Sequence, residues 1–121
     1  MYVLTPVKFN SPPVLQIGND ITENADGDIF TADTAGEYLI NYQLVAYTGN
    51  PLVTINTDAR LTSNNLGVID SINLNQQHVV NQSSVTVNLQ AGNQIRLNVF
   101  ENADVGMILI NSPVITLMKV G

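Results

Sequence analysis

A chain of 121 residues, 45 % hydrophobic and 12 % charged, has the length of one domain, residues 1–121, and roughly half the charged fraction usual in globular proteins. Its formal charge is −6, with Lys8, Arg60, Arg96 and Lys119 as its only Lys or Arg residues; four scattered cations cannot neutralise a run of phosphates, which excludes nucleic acid and anionic membrane surfaces as partners. The absence of cysteine removes disulfides, thiolate chemistry and Cys-based zinc sites, and no apolar run approaches the ~20 residues of a membrane-spanning helix, so no membrane insertion is expected.

The first residues, "MYVLTPVKFN", lack the basic start and long apolar middle of a secretion signal; a mature fragment or another export route is expected. The next informative stretch is "ADGDIFTADTAGEYLINYQ", Ala25 to Gln43. Asp26 and Asp28, with Asn24 before them and Asp33 after, offer oxygens to calcium, which takes six to eight. Counted from Asn24, however, the sixth and twelfth positions are Ile29 and Ala35, where an EF-hand loop needs Gly and a bidentate Glu. Asp26-Gly27 is a turn signal in its own right. The expectation is therefore an acidic turn with no cofactor, Asp26 and Asp28 standing as the calcium candidates.

From Glu37 to Tyr47 the period is two. Tyr38, Ile40, Tyr42, Leu44 and Ala46 share one face of an extended chain, and Leu39, Asn41, Gln43, Val45 and Tyr47 share the other. "VTVNLQ" repeats the alternation with Val85, Val87 and Leu89, "IRLNVF" with Ile95, Leu97 and Val99, and "PVITLMKV" closes the chain with apolar side chains on both faces. Turn-formers separate these runs at Thr48–Pro51, Ser63–Asn65, Gln90–Asn93 and Glu101–Asp104. No window combines helical spacing with caps. About eight to ten short strands at this spacing predict an all-β antiparallel sandwich or jelly roll.

Leu39, Val45 and Tyr47, on what should be the wet face, and Ile115, Leu117 and Val120 near the end of the chain imply a second buried surface, and their clustering points to an oligomer interface. Tyr38, Ile40 and Tyr42 are assigned to the core; Leu39, Val45, Tyr47, Ile115 and Leu117 are assigned to the interface.

Catalytic signals are weak. His78 is the only histidine, and Ser83 and Ser84 lie too near it along one strand to be held against its ring, so no catalytic residue is assigned. Asn81-Gln82-Ser83 matches a glycosylation sequon, a triplet that recurs by chance in an Asn-rich chain. Tryptophan is absent and the tyrosines fall mainly in one strand, which disfavours an aromatic sugar platform.

In "FTADTAGEYLINY", Phe30, Gly36, Tyr38, Ile40 and Tyr42 follow a spacing that resembles the signature of complement C-one-q globular heads, with Ile40 in place of the usual middle Phe. "PVKFN" resembles the opening strand of the bacterial members, closest to the C-terminal domain of the collagen-like glycoproteins of the Bacillus exosporium. "VNLQAGNQIRLNV" is similar to a later strand, turn and strand of that family, and "SPVITLMKVG" to its last strand. The resemblance implies a ten-stranded, tumour-necrosis-factor-like jelly roll that forms a homotrimer, caps an N-terminal collagen-like stalk, and sits extracellularly or on a spore or cell surface. It implies a structural rather than enzymatic role. It also brings calcium near the trimer top in some relatives; the alternative to the structural role is a ligand-binding tip of a trimeric bacterial or phage fibre that recognises a glycan or a host receptor.

Overall fold

Period-two alternation dictates a sandwich, because each strand must hide one row of side chains against a second sheet. The computed structural model describes residues 2–9, 16–55, 57–102 and 108–121. They form ten strands: β1 (Tyr2–Pro6), β2 (Gln16–Ile17), β3 (Ile21–Glu23), β4 (Phe30–Ala32), β5 (Gly36–Tyr47), β6 (Thr57–Ser63), β7 (Gly67–Leu74), β8 (Val80–Leu89), β9 (Gln94–Asn102) and β10 (Leu109–Lys119). There is no helix among the described residues.

One sheet runs β3-β4-β9-β6-β7, with β1 pairing the stretch of β9 beyond β4. The other runs β2-β10-β5-β8. All pairings are antiparallel except the short one between β2 and β10. Between the sheets, Tyr38, Ile40, Leu44 and Ala46 from β5 meet Ala59 and Leu61 from β6 and Ile95, Leu97 and Val99 from β9, all essentially excluded from solvent. Phe30 is fully buried and meets Phe9 edge-on, ring centroids 5.8 Å apart.

The long pairing of β5 with β10 ends at Tyr38 and Lys119, two residues from Gly36. A Cβ there would lie 2.5 Å from the Gly121 carbonyl oxygen and 2.5 Å from Lys119 Cε. Glu37 N–H donates to that same carbonyl at 3.0 Å, and Val120 N–H donates to the Glu37 carbonyl at 2.7 Å. Glycine is thus required by the close approach of the chain's last residue rather than by a special backbone turn.

Two sequence readings are revised. The first strand is Tyr2–Pro6 rather than Pro6–Asn10: after Val7 N–H donates to the Leu97 carbonyl, Phe9 turns to Gly27, and β4 takes over that edge of β9. Asn10 lies outside the described residues, as do Ala103 and Asp104 of the turn expected after Phe100. Ile115 and Leu117 are core residues, 0 % and 1 % exposed, not interface residues. The cause is a bulge: Asn111 faces Val45, but Val114 faces Gln43, so the segment through Ser112 and Pro113 holds one residue more than its partner. One extra residue exchanges the faces, and it falls at a proline, which has no N–H to give a ladder. Beyond it Ile115 pairs with Tyr42 and Leu117 with Ile40, facing inward.

Candidate functional site

The feature that the fold leaves unexplained is the outer face of the β2-β10-β5-β8 sheet. Cross-strand partners share a face, so the register lays out its rows on β10, β5 and β8. At one end Met118, Leu39 and Thr86 lie side by side, followed by Thr116, Asn41 and Ser84. Val114, Gln43 and Gln82 form the middle row, and Asn111, Val45 and Val80 the next. Leu109 and Tyr47 complete the far end. None of these fourteen side chains is Asp, Glu, Lys or Arg; the carboxylate on this side of the sheet, Glu37 opposite Asn88, lies at its end, beyond Leu39. Soluble surfaces ordinarily use charge to stay solvated.

Apolar side chains are concentrated at the two ends of this face. Met118 is 48 % exposed, Val80 59 % and Leu109 36 %. The centre is polar and concave: Asn41, Gln43, Gln82, Ser84, Val114 and Thr116 line a groove of about 460 Å³. Small side chains at Ser84 and Thr116 make the hollow, beside the bulged segment of β10. Ser84 donates its hydroxyl to Asn41 Oδ1. The amides of Gln43 and Gln82, directly opposite each other, have no hydrogen-bonding partner among the described residues.

Leu39, Val45 and Tyr47 lie on this face, each half-buried within the single chain. Tyr38, Ile40 and Tyr42 lie on its reverse, in the core, with Phe30. His78 is a turn residue rather than a strand residue, with a left-handed φ of 62°. Its N–H donates to the Ala46 carbonyl at 3.0 Å, and its ring stacks on Tyr47, centroids 5.1 Å apart. Ser83, by contrast, faces Tyr42, five residues back along β5, so strand rise separates it from that stack by about 16 Å. Its hydroxyl is donated to Asp70 Oδ2 at 2.7 Å.

Asp70 itself escaped the sequence reading. Leu61 faces Asp70 and Thr62 faces Val68, which leaves Ile69 as a bulged extra residue and keeps Asp70 in the inward row with Ile72 and Leu74. There it accepts the Tyr42 hydroxyl at 2.7 Å as well. Burial, then the hydrogen bond and charge of Asp70, push the Tyr42 phenol far above its ordinary range. The available signal was an acid in register with two inward apolar residues.

The acidic turn is held by its own side chains. Asn24 Oδ1 accepts the N–H groups of Asp28 and Ile29, each at 3.0 Å, and its Nδ2 donates to Asp28 Oδ1 at 2.7 Å. Gly27 takes the left-handed φ of 70° that the turn requires. Asp26 is exposed, and Asp33 accepts the Thr22 hydroxyl at 2.8 Å instead of joining Asp26 and Asp28. No group of three or more His, Asp or Glu side chains placed to hold a metal occurs among the described residues.

At the opposite end of β5, the loop leading to β6 is braced by one side chain. Gln77 Oε1 accepts Thr48 N–H at 2.8 Å, and Gln77 Nε2 donates to the carbonyls of Asn50 at 2.9 Å and Val53 at 2.6 Å. Asn50 Oδ1 accepts Leu52 N–H at 3.0 Å. This ordered backbone presents Leu52 at 91 % exposure.

No protein-family model matches the sequence, and no curated protein matches it. Solved structures do match the fold. Rabbit GITRL superposes with a TM-score of 0.61 at 16 % identity, over 84 % of this chain and 77 % of that one. Murine APRIL, solved at pH 5.0, gives 0.60 at 18 % identity, over 98 % of this chain and 96 % of that one. Bushbaby GITRL gives 0.57 at 16 % identity, over 84 % and 75 %. Together with the two-sheet topology these matches make the fold a tumour-necrosis-factor-like jelly roll.

Proposed function

We propose that this chain is a non-enzymatic homotrimerisation domain, with the outer face of the β2-β10-β5-β8 sheet as its self-association surface. The observation that carries the reading is the absence of formal charge from the fourteen positions between Met118 and Leu109 on that face, Glu37 lying beyond them at its end, in a chain of net charge −6. Depletion of charge is the compositional mark of an interface centre, and an uncharged face meets another copy of itself without like-charge repulsion. A count of three follows the resemblance of the Phe30–Tyr42 segment to C-one-q heads. A closed ring of three also needs no exact twofold self-complementarity, only two patches that fit.

Association is then the mechanism. Three copies bury their uncharged faces along one axis and bring their N-terminal segments into register, which lowers the entropic cost of starting a triple helix in a preceding collagen-like stalk. The setting proposed is the C-terminal knob of a collagen-like protein displayed outside the cell, on a bacterial or spore surface. No helix among the described residues is long and apolar enough to cross a membrane. The test is the mass in solution: the domain is expected at three times 13.1 kDa and to stay there on dilution, and a monodisperse monomer overturns the reading.

A second reading, a ligand-binding tip, is favoured by the Gln77-braced loop. A pre-ordered loop loses little entropy on binding, and an apolar side chain at its apex is an anchor for a protein partner. Leu52→Ser, on a surface away from the core, is expected to leave fold and oligomer intact; a host-surface or glycan binding signal that survives it excludes this loop as the contact.

A further inference from the structure

The polar centre of an otherwise apolar face has a consequence for how copies fit together, and this inference rests on the trimer reading above. Within one protomer the amides of half-buried Gln43 and exposed Gln82 have no hydrogen-bonding partner among the described residues, which leaves them to solvent where they line the groove. Any assembly that covers the groove must supply donors and acceptors to both, because a buried amide left unpaired costs more than its pairing gains. The apolar ends of the face, Leu39 with Met118 and Val45 with Val80, have no such requirement. They would accept several slipped or rotated arrangements almost equally well.

We propose that Gln43 and Gln82 form a register-setting polar layer, completed only by the polar centre of the same face in neighbouring copies. Each copy's Gln43 and Gln82 amides pair with amides or hydroxyls of the polar row in the next copy, Asn41, Ser84 and Thr116 among them. A slip of two residues along β5 toward Tyr47 would set Gln43 against Val45, and one of four residues the other way would set it against Leu39, each leaving its amide unpaired. The layer therefore works by penalising the wrong assemblies rather than by tightening the right one, as single buried amides do in coiled-coil seams. Concavity serves the same end, since a groove admits a long polar side chain from a neighbour where a flat face would exclude it.

The experiment has two arms. In the first, side-chain amide exchange of Gln43 and Gln82 is followed by NMR in the unaltered domain. Exchange slowed by on the order of tenfold or more relative to the exposed Gln90 is expected, and exchange as fast as that of Gln90 overturns the layer. In the second, the double variant Gln43→Leu, Gln82→Leu is examined by native mass spectrometry. It is expected to lose the single oligomeric mass and to populate more than one assembly, with melting temperature equal or higher. A double variant that keeps one trimeric mass overturns the proposal; one that fails to fold leaves the decision to the exchange arm. A monomeric unaltered domain brings down the trimer reading itself, whereas a trimer with freely exchanging amides brings down only the layer.

Discussion

The Tyr42 hydroxyl donates a 2.7 Å hydrogen bond to Asp70 Oδ2, tying the middle of one sheet to the edge strand of the other. Ser83 donates to the same oxygen at 2.7 Å, so one carboxylate serves two hydroxyls where β7 and β8 come together. Its loss therefore strands two donors. Asp70→Ala is expected to destabilise the domain by about 1–3 kcal/mol and Tyr42→Phe by only about 1 kcal/mol, since the latter removes donor and bond together. Asp70→Asn, which keeps an acceptor, should fall between them. Urea unfolding of the three variants checks the order.

The same contact fixes an alkaline signature. Burial first, then the hydrogen bond and charge of Asp70, raise the Tyr42 phenol above its unfolded value near 10. Between those two values the native state holds a proton that the unfolded chain has lost, so stability falls as pH rises through the window and is unaffected below it. The expected slope above pH 10 is at most about 1.4 kcal/mol per pH unit for this one proton. Tyr42→Phe should remove that part of the slope; an unchanged alkaline limb in the variant would assign it elsewhere.

Gly36 and Gly121 make a second testable pair. Lys119 has a flexible side chain that can move aside for a methyl at position 36, but the Gly121 carbonyl is held by Glu37 N–H. Gly36→Ala is expected to cost about 1–3 kcal/mol through overpacking. In a chain shortened by Gly121 the same substitution should cost less, and a double-mutant cycle measures the difference. Equal costs in both backgrounds would mean that the carbonyl is not the obstacle.

How legible this was in the sequence depended on whether the period held. Along β5 it held for twelve residues, so spacing alone set Tyr38, Ile40 and Tyr42 on one face and Leu39, Val45 and Tyr47 on the other, while which face is buried in the core needed the second sheet. Along β10 the bulge at Ser112 and Pro113 reset the phase, and Ile115 and Leu117 were placed on the wrong side. Asp70 was missed for a related reason. The bulge at Ile69 is invisible without its partner strand, and the two hydroxyls that make an inward acid tolerable come from β5 and β8, 28 and 13 residues away in sequence. The polar groove likewise needs three strands side by side before Gln43, Gln82 and Thr116 meet.

The acidic turn is expected to behave as a structural cap. Asn24 accepts two backbone N–H groups, the duty of a capping side chain, so Asn24→Ala should cost about 1 kcal/mol. Because Asp28 is engaged by Asn24 while Asp33 is engaged by Thr22, the carboxylates do not converge. Addition of a chelator is expected to leave the melting temperature unchanged, and addition of calcium likewise. A calcium-dependent rise in melting temperature that Asp26→Asn abolishes would reverse this reading.

The two faces of the β5–β10 pair give the sharpest contrast. Leu117 is 1 % exposed in the core, and Val45 is half-buried on the outer face, three residues along β5 from Tyr42. Leu117→Ala should cost about 2–5 kcal/mol by leaving a cavity, whatever the oligomeric state. Val45→Asp introduces charge among the uncharged rows of that face, so it is expected to disfavour association while each separated chain keeps its core. Analytical ultracentrifugation with circular dichroism separates the outcomes: a smaller species with unchanged β signal for Val45→Asp, and an unfolding midpoint shifted to lower denaturant for Leu117→Ala. A Val45→Asp chain that stays at the mass of the unaltered domain would move the association surface off this face.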